Sequence, residues 1–188
     1  MQEVPEDIIY RCQNGSATAF AQLVQCYERT LFAYVYRLNC TTVGRESEDI
    51  VQDIFLKVYQ SIHNFKQLPG ACFSTWLFTI ARNHCIDLMR KKKTDSRSKK
   101  VEDKTMTDFV DYKPANPQKT TLQNETAEYI SMAVAELSEP FRSALVLRYY
   151  EDASYAQIAQ ILQCNEGTAK LRVARAKQML SKLLDKIR

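Results

Sequence analysis

Apolar residues recur every three to four positions along most of this 188-residue chain, the spacing that puts them on one face of a helix. Between 16 and 38 they are Ala19, Phe20, Leu23, Val24, Tyr27, Leu31, Tyr34, Val35 and Leu38, which predicts a helix with one broad apolar stripe. Residues 47–62 repeat the pattern with Ile50, Val51, Ile54, Phe55, Val58, Tyr59 and Ile62. A third helix is expected to start near Ser74 or Thr75, either of which can cap it. It carries Trp76, Leu77, Ile80, Ala81, His84 and Leu88 and ends in Arg90-Lys91-Lys92-Lys93. A shorter helix is expected over about 5–13. Strand-like alternation is nearly absent. The stripes can bury one another, which predicts an all-α N-terminal module over 1–93.

The periodicity stops at 94–122, a stretch of Thr, Ser, Asp and Lys with Lys-Pro-Ala-Asn-Pro at 113–117. Too little apolar surface is available there for independent folding, so it reads as a flexible linker. Helical spacing returns over 123–188, the second expected module. Leu122, Ala127, Ile130, Val134 and Leu137 form a first helix, and Ser138-Glu-Pro-Phe opens a second, with proline tolerated in the first turn. Ser154-Tyr-Ala-Gln157 is a capping box, and Asn165 is placed to cap the last helix. Ile158, Ala159 and Leu162 face inward, as does the seam Ala169, Val173, Ala176 and Leu180. Two short amphipathic helices around a tight turn near 163–165 make a helix-turn-helix.

Composition narrows the function. No apolar run of about 18 residues predicts a membrane span, and the opening Met-Gln-Glu-Val-Pro-Glu-Asp lacks a signal-peptide pattern. A cytoplasmic protein is expected. The 6 cysteines (12, 26, 40, 72, 85 and 164) contain no Cys-x-x-Cys pair, and there are only 2 histidines. The thiols read as small, reduced, mostly buried hydrophobes, with no metal site and no cofactor. A Gly-rich phosphate loop, a nucleophile elbow and a metal-binding histidine pair are all missing, so no enzyme is expected.

Charge is unevenly distributed. The net charge of +4 conceals a +6 block over 67–100 and a +5 block over 166–188, against −2 over 1–66 and −5 over 101–165, counted along the sequence. Two basic blocks suggest two contacts with a polyanion. On the last helix Thr168, Lys170, Leu171, Arg172 and Arg175 remain on the outer face, with no acidic residue between Gly167 and Leu184. Such a face suits phosphates and a guanine edge. The first block has two equal readings. Phe73, Trp76 and Phe78 beside the cations could stack an unpaired strand, or the aromatics are core and the tail simply complements a helix C-terminus. The polar side of 47–62 shows Glu48, Asp49, Gln52, Asp53, Lys57 and Gln60. It suits a protein partner better than DNA, and plain solvent exposure explains it equally well.

Four segments in order resemble the extracytoplasmic-function (ECF) group of bacterial RNA polymerase sigma factors. Asp49-Ile-Val-Gln-Asp-Ile-Phe-Leu-Lys-Val-Tyr is similar to the family's polymerase-binding segment. Phe73-Ser-Thr-Trp-Leu-Phe-Thr-Ile-Ala-Arg-Asn83 and the residues to Lys93 resemble its −10 segment. Leu137-Ser-Glu-Pro-Phe with Ser154-Tyr-Ala-Gln-Ile-Ala, and Gly167-Thr-Ala-Lys-Leu-Arg-Val-Ala-Arg, resemble region 4 and its −35 helix. The resemblance implies a factor that binds core polymerase and directs promoter-specific initiation. Asp49, Gln52, Asp53 and Leu56 would meet the β′ clamp helices. Ser61, Phe65 and Asn83 would form a pocket for a flipped −10 base, with Arg90, Lys91, Lys92 and Lys93 on nearby phosphates. Thr168, Lys170, Leu171, Arg172 and Arg175 would read the −35 element, with the second module seated on the β flap. The linker would thread the polymerase channel, and an anti-sigma factor would restrain the whole. Leu171 stands where relatives often carry Ser or Thr, and it could touch a thymine methyl.

Two other readings are open. An autonomous helix-turn-helix regulator would normally dimerise on a palindrome, yet no dimerisation heptad is evident. A helical adaptor without DNA contact would be indifferent to charge at Arg172 and Arg175.

Overall fold

The computed structural model describes residues 1, 3–39, 46–66, 72–98 and 129–187. All regular structure in them is helical: α1 (Glu6–Gln13), α2 (Ala17–Leu38), α3 (Ser47–Ser61), a 3-10 turn (Ile62–Asn64), α4 (Phe73–Ser98), α5 over 129–135, α6 (Glu139–Tyr149), α7 (Tyr155–Ile161) and α8 (Glu166–Ile187). The first four helices form one cluster and the last four another, so the fold is all-α with two helical units.

The predicted stripes are the packed faces. In α2, Ala19, Leu23, Tyr27, Leu31, Tyr34, Val35 and Leu38 are buried, with Phe20 and Val24 at the edge. In α3, Ile50, Val51, Ile54, Phe55 and Val58 are buried, but Tyr59 is 53% exposed. Ser16 caps α2 by accepting from the Ala19 amide at 3.3 Å. Between α1 and α2 the chain reverses at Gly15, whose φ of +80° is one an L side chain rarely adopts.

Helix α4 departs from expectation at both ends. It begins at Phe73, which leaves Ser74 and Thr75 inside it and buried rather than capping it. The capping group comes instead from Glu3, whose carboxylate accepts from the Ser74 amide at 3.3 Å and from its hydroxyl. The helix then runs five residues past Lys93, to Ser98, into the stretch expected to be linker. The rest of that stretch, with Leu122 and Ala127 of the predicted fifth helix, lies outside the described residues.

In the second cluster the local signals match closely. The Ser154 hydroxyl accepts from the Gln157 amide at 3.2 Å, and the Gln157 side chain accepts from the Ser154 amide at 2.9 Å. Asn165 Oδ1 accepts from the Thr168 amide at 2.7 Å. Ala169, Val173 and Ala176 are buried against α6 and α7, and Leu180 is half-buried. Gln163 supplies the left-handed residue of the α7–α8 turn, with φ of 51°.

Polar contacts join the clusters. Arg82 on α4 pairs with Glu139 on α6 through Nε and Nη2, at 3.1 and 3.3 Å. Arg142 donates to the Leu38 carbonyl at the end of α2 and to the Ala135 and Leu137 carbonyls. Arg37 lies 4.0 Å above the Tyr150 ring. The Arg82–Glu139, Arg142–Leu38 and Arg37–Tyr150 contacts link residues about 57 to 113 positions apart, and no short-range pattern announces them.

Candidate nucleic-acid and polymerase interface

The polar side of α3 is the first candidate surface. Gln52, Leu56 and Tyr59 are exposed, the last two by 56% and 53%. One turn apart, they make a small apolar patch on an otherwise polar face. Tyr59 is a residue the stripe assigned to the core, whereas its ring stands edge-on to Phe20 at 5.0 Å. Asp49 has a structural duty as well, since its carboxylate accepts from the Glu46 amide at 3.2 Å in a capping box. Asp53 turns toward α4, where its Oδ2 lies 3.5 Å from His84 Nε2.

Between α3 and α4 runs an open cleft of about 360 Å³ lined by Lys57, Gln60, Ser61, Ile80, Asn83, His84 and Asp87. The structure thus brings Ser61 and Asn83 to one site. The Ser61 hydroxyl donates to the Lys57 carbonyl at 2.6 Å, while Asn83 is exposed. An adjoining hollow is lined by Arg90 and Lys91 together with Asp53, Asp87 and Leu88. Arg90 lies 4.0 Å from Asp87, both well exposed. The side chains of Lys92 and Lys93 lie outside the described residues. His84 and Asp87 were not among the expected site residues. Their positions seven and four residues ahead of Lys91, on the same helix, would have placed them on its face.

Phe65 is not in that cleft. It is buried, edge-on to Phe73 at 5.3 Å and tilted against Trp76 at 5.4 Å. Phe73 and Phe78 are buried too, so of the two readings of these aromatics the core one holds for them, and only Trp76 is half-buried. The segment joining Phe65 to α4 includes residues 67–71, outside the described residues.

The outer face of α8 is the third surface. Lys170, Leu171 and Arg175 are exposed, and Thr168 and Arg172 half-buried. Lys170 is not free of acidic neighbours: Glu166, one turn back, pairs with it at 2.9 Å and raises its pKa. Arg172 and Arg175 lie further along the same face, where the sequence holds no acid. Among the described residues no group of three His, Cys, Asp or Glu could hold a metal ion, and no helix is long and apolar enough to cross a membrane.

Two helical units, a helix-turn-helix with a cationic second helix and a second basic surface beside a cleft define a two-module DNA-binding transcription factor. Residues 23–94 match the Sigma-70 region 2 family, and residues 127–180 match Sigma-70 region 4. The chain is 31% identical to the ECF RNA polymerase sigma factor SigW of Bacillus subtilis over 180 residues, 94% of each chain. It is 28% identical to the RNA polymerase sigma-H factor of Pseudomonas aeruginosa over 187 residues, 97% of this chain and 95% of that one. The sigma factor RpoE of Bartonella quintana, solved with the anti-sigma factor NepR, superposes with a TM-score of 0.68 at 31% identity, covering 90% of this chain and 98% of that one. The chain belongs to the sigma-70 family, in its ECF group. It is a promoter-directing factor of RNA polymerase, not an enzyme.

Proposed function

We propose that the three surfaces divide the work of initiation, with 1–93 and 123–188 acting as the two functional modules and 94–122 as the link that threads the polymerase channel. The exposed face of α3 takes the β′ clamp helices through Asp49, Gln52, Asp53 and Leu56. Its acidic character repels DNA, and its apolar patch gives a partner something to bury. The α3–α4 cleft receives a flipped −10 base, with Asn83 offering an amide that can both donate and accept. Ser61 lines it, and Arg90 to Lys93 hold adjacent phosphates. On α8, Thr168, Lys170, Arg172 and Arg175 grip the −35 duplex, and Leu171 lies against a thymine methyl. The second module sits on the β flap.

The observation that carries this reading is the division of charge among elements. The acidic residues and the exposed Leu56 belong to α3, and the basic residues to α4 and α8, so a protein and two stretches of DNA can be held at once, with Asp53 also bordering the hollow that Arg90 and Lys91 line. Each basic face alone is small. Docking on polymerase converts the second DNA contact into an intramolecular one and raises its effective concentration. The Bartonella relative is solved with an anti-sigma factor, which supports restraint of this chain by a partner of that kind.

Asp53→Arg tests the division. It should lower affinity for purified core polymerase by about tenfold or more, as expected when a like charge replaces a complementary one at an interface. The second module should stay folded, judged by the hydrogen-exchange protection of α8. Equal core affinity for variant and parent would overturn the assignment of α3.

A further inference from the structure

Among the described residues His84 is one of a few polar side chains that the fold buries, with 9% of the side chain exposed. It belongs to the apolar stripe of α4, between Leu77 and Leu88. An apolar residue would fill that place without the cost of taking a polar ring out of water. The ring faces α3, where Asp53 Oδ2 lies 3.5 Å from His84 Nε2. Lys57 stands one turn further along α3, on the same side as Asp53. Lys57, His84 and Asp87 line both the cleft read above as the −10 pocket and the adjoining hollow of Arg90 and Lys91. Lys57 and Asp87 are exposed and His84 is buried, so the imidazole is the fixed part of the boundary between the two.

We infer that His84, held by Asp53, is a positioning residue for −10 reading: it sets the spacing between the cleft that takes the base and the hollow that takes the phosphates. A carboxylate beside one ring nitrogen favours the proton on that nitrogen, which fixes the tautomer and the orientation of the imidazole. A ring so fixed against α3 also fixes its chain neighbour Asn83, and Lys91 two turns on, relative to α3. Base and phosphate are joined in one DNA strand, so the two sites can be filled together only at a set distance. Asp53 keeps 34% of its side chain exposed, enough to meet a polymerase group on its outer side while Oδ2 faces His84. One carboxylate thereby links the docking face of α3 to the reading cleft. The inference rests on the −10 reading of the cleft given above.

The test uses full-length chain at saturating concentration over core polymerase, and a template pool randomised at the −10 and −35 positions, with the transcripts sequenced. His84→Leu fills the space of the ring and removes its donor. It should lower −10 base preference roughly fivefold, the scale of one polar contact, and leave −35 base preference and core affinity as in the parent. His84→Gln places an N–H near the position of Nε2 and should recover most of the loss. Asp53→Asn lowers core affinity on the docking reading, which saturation offsets, and should lower −10 preference in the same direction as His84→Leu. The double variant should be no worse in −10 preference than His84→Leu alone, because both changes act through one contact. Unchanged −10 preference in His84→Leu would overturn the inference. So would a loss of −10 and −35 preference in parallel, because that is general destabilisation, and so would effects that add in the double variant. Asn83→Ala in the same pool separates the two levels. If it abolishes −10 preference while His84→Leu does not, the positioning role alone fails. If it too changes nothing, the reading of the cleft fails with it.

Discussion

Asn165 spends one side chain on one orphan amide, that of Thr168, and thereby sets where α8 begins. Replacing it with alanine should cost about 1 kcal/mol and lower the melting temperature by roughly 2–4 °C. An unchanged melting temperature would mean that the cap contributes nothing. Caps of this kind were legible in the sequence, because a cap acts on an amide three residues away. The same holds for Ser154 with Gln157. The cap of α4 was not legible. Ser74 and Thr75 had the right chemistry and sat near the right place, but Glu3, 71 residues distant, holds the amide. Likewise the chemistry of Asn83 could be read, but not that Phe65 would be sealed beneath Trp76 and Phe73, since aromatic spacing does not say which ring covers which.

Elements were read best where one stripe had one neighbour. The buried faces of α2 and α3 follow the predicted period, and so does the Ala169–Val173–Ala176 seam of α8. Misreading came at stripe edges, as with Tyr59, and at the end of α4, where basic residues that complement a helix C-terminus gave no signal for where the helix stops. On α8 the outer face is the one proposed to carry the duplex contact. Replacing Arg172 and Arg175 with alanine should therefore weaken holoenzyme binding to promoter DNA and flatten its salt dependence. Each lost phosphate contact should reduce the slope of log affinity against log salt by about 0.9. An unchanged slope, measured by titrating salt over a fixed promoter fragment, would contradict contact through this face. Lys170 should matter less than either arginine, because Glu166 already neutralises part of its charge.

At the scale of the whole molecule, the two clusters meet through the Arg82–Glu139 pair, the Arg142 contacts and the Arg37–Tyr150 stack. Beside that contact, Glu151 is buried and its carboxyl is pushed up to about 7. Burial is the main cause. Arg37 and the N-terminal ammonium oppose it, and Asp152 adds to it. A carboxyl whose native pKa exceeds its ordinary 4.5 binds its proton more tightly when folded. Its stabilising effect is complete below about 4.5 and is lost as pH rises to about 7. The parent should thus lose urea resistance relative to Glu151→Gln as pH is raised across that window. A stability difference that stays constant from pH 4.5 to 7 would contradict the burial of this carboxyl as the dominant effect on it. This level was the least legible in the sequence. Arg37, Glu139, Arg142 and Glu151 look like ordinary surface charges until distant helices are brought together.

The central claim is that cationic α8 and the α3–α4 surface choose promoters only while polymerase holds them. Start sites mapped from a genomic promoter library, transcribed by core enzyme with the parent chain or with Arg172→Glu/Arg175→Glu, address it most directly. The account predicts a restricted set of starts with the parent, absent from core enzyme alone and lost with the charge-reversed chain. Starts that persist unaltered after the reversal, or that arise equally from core enzyme without the chain, would contradict it.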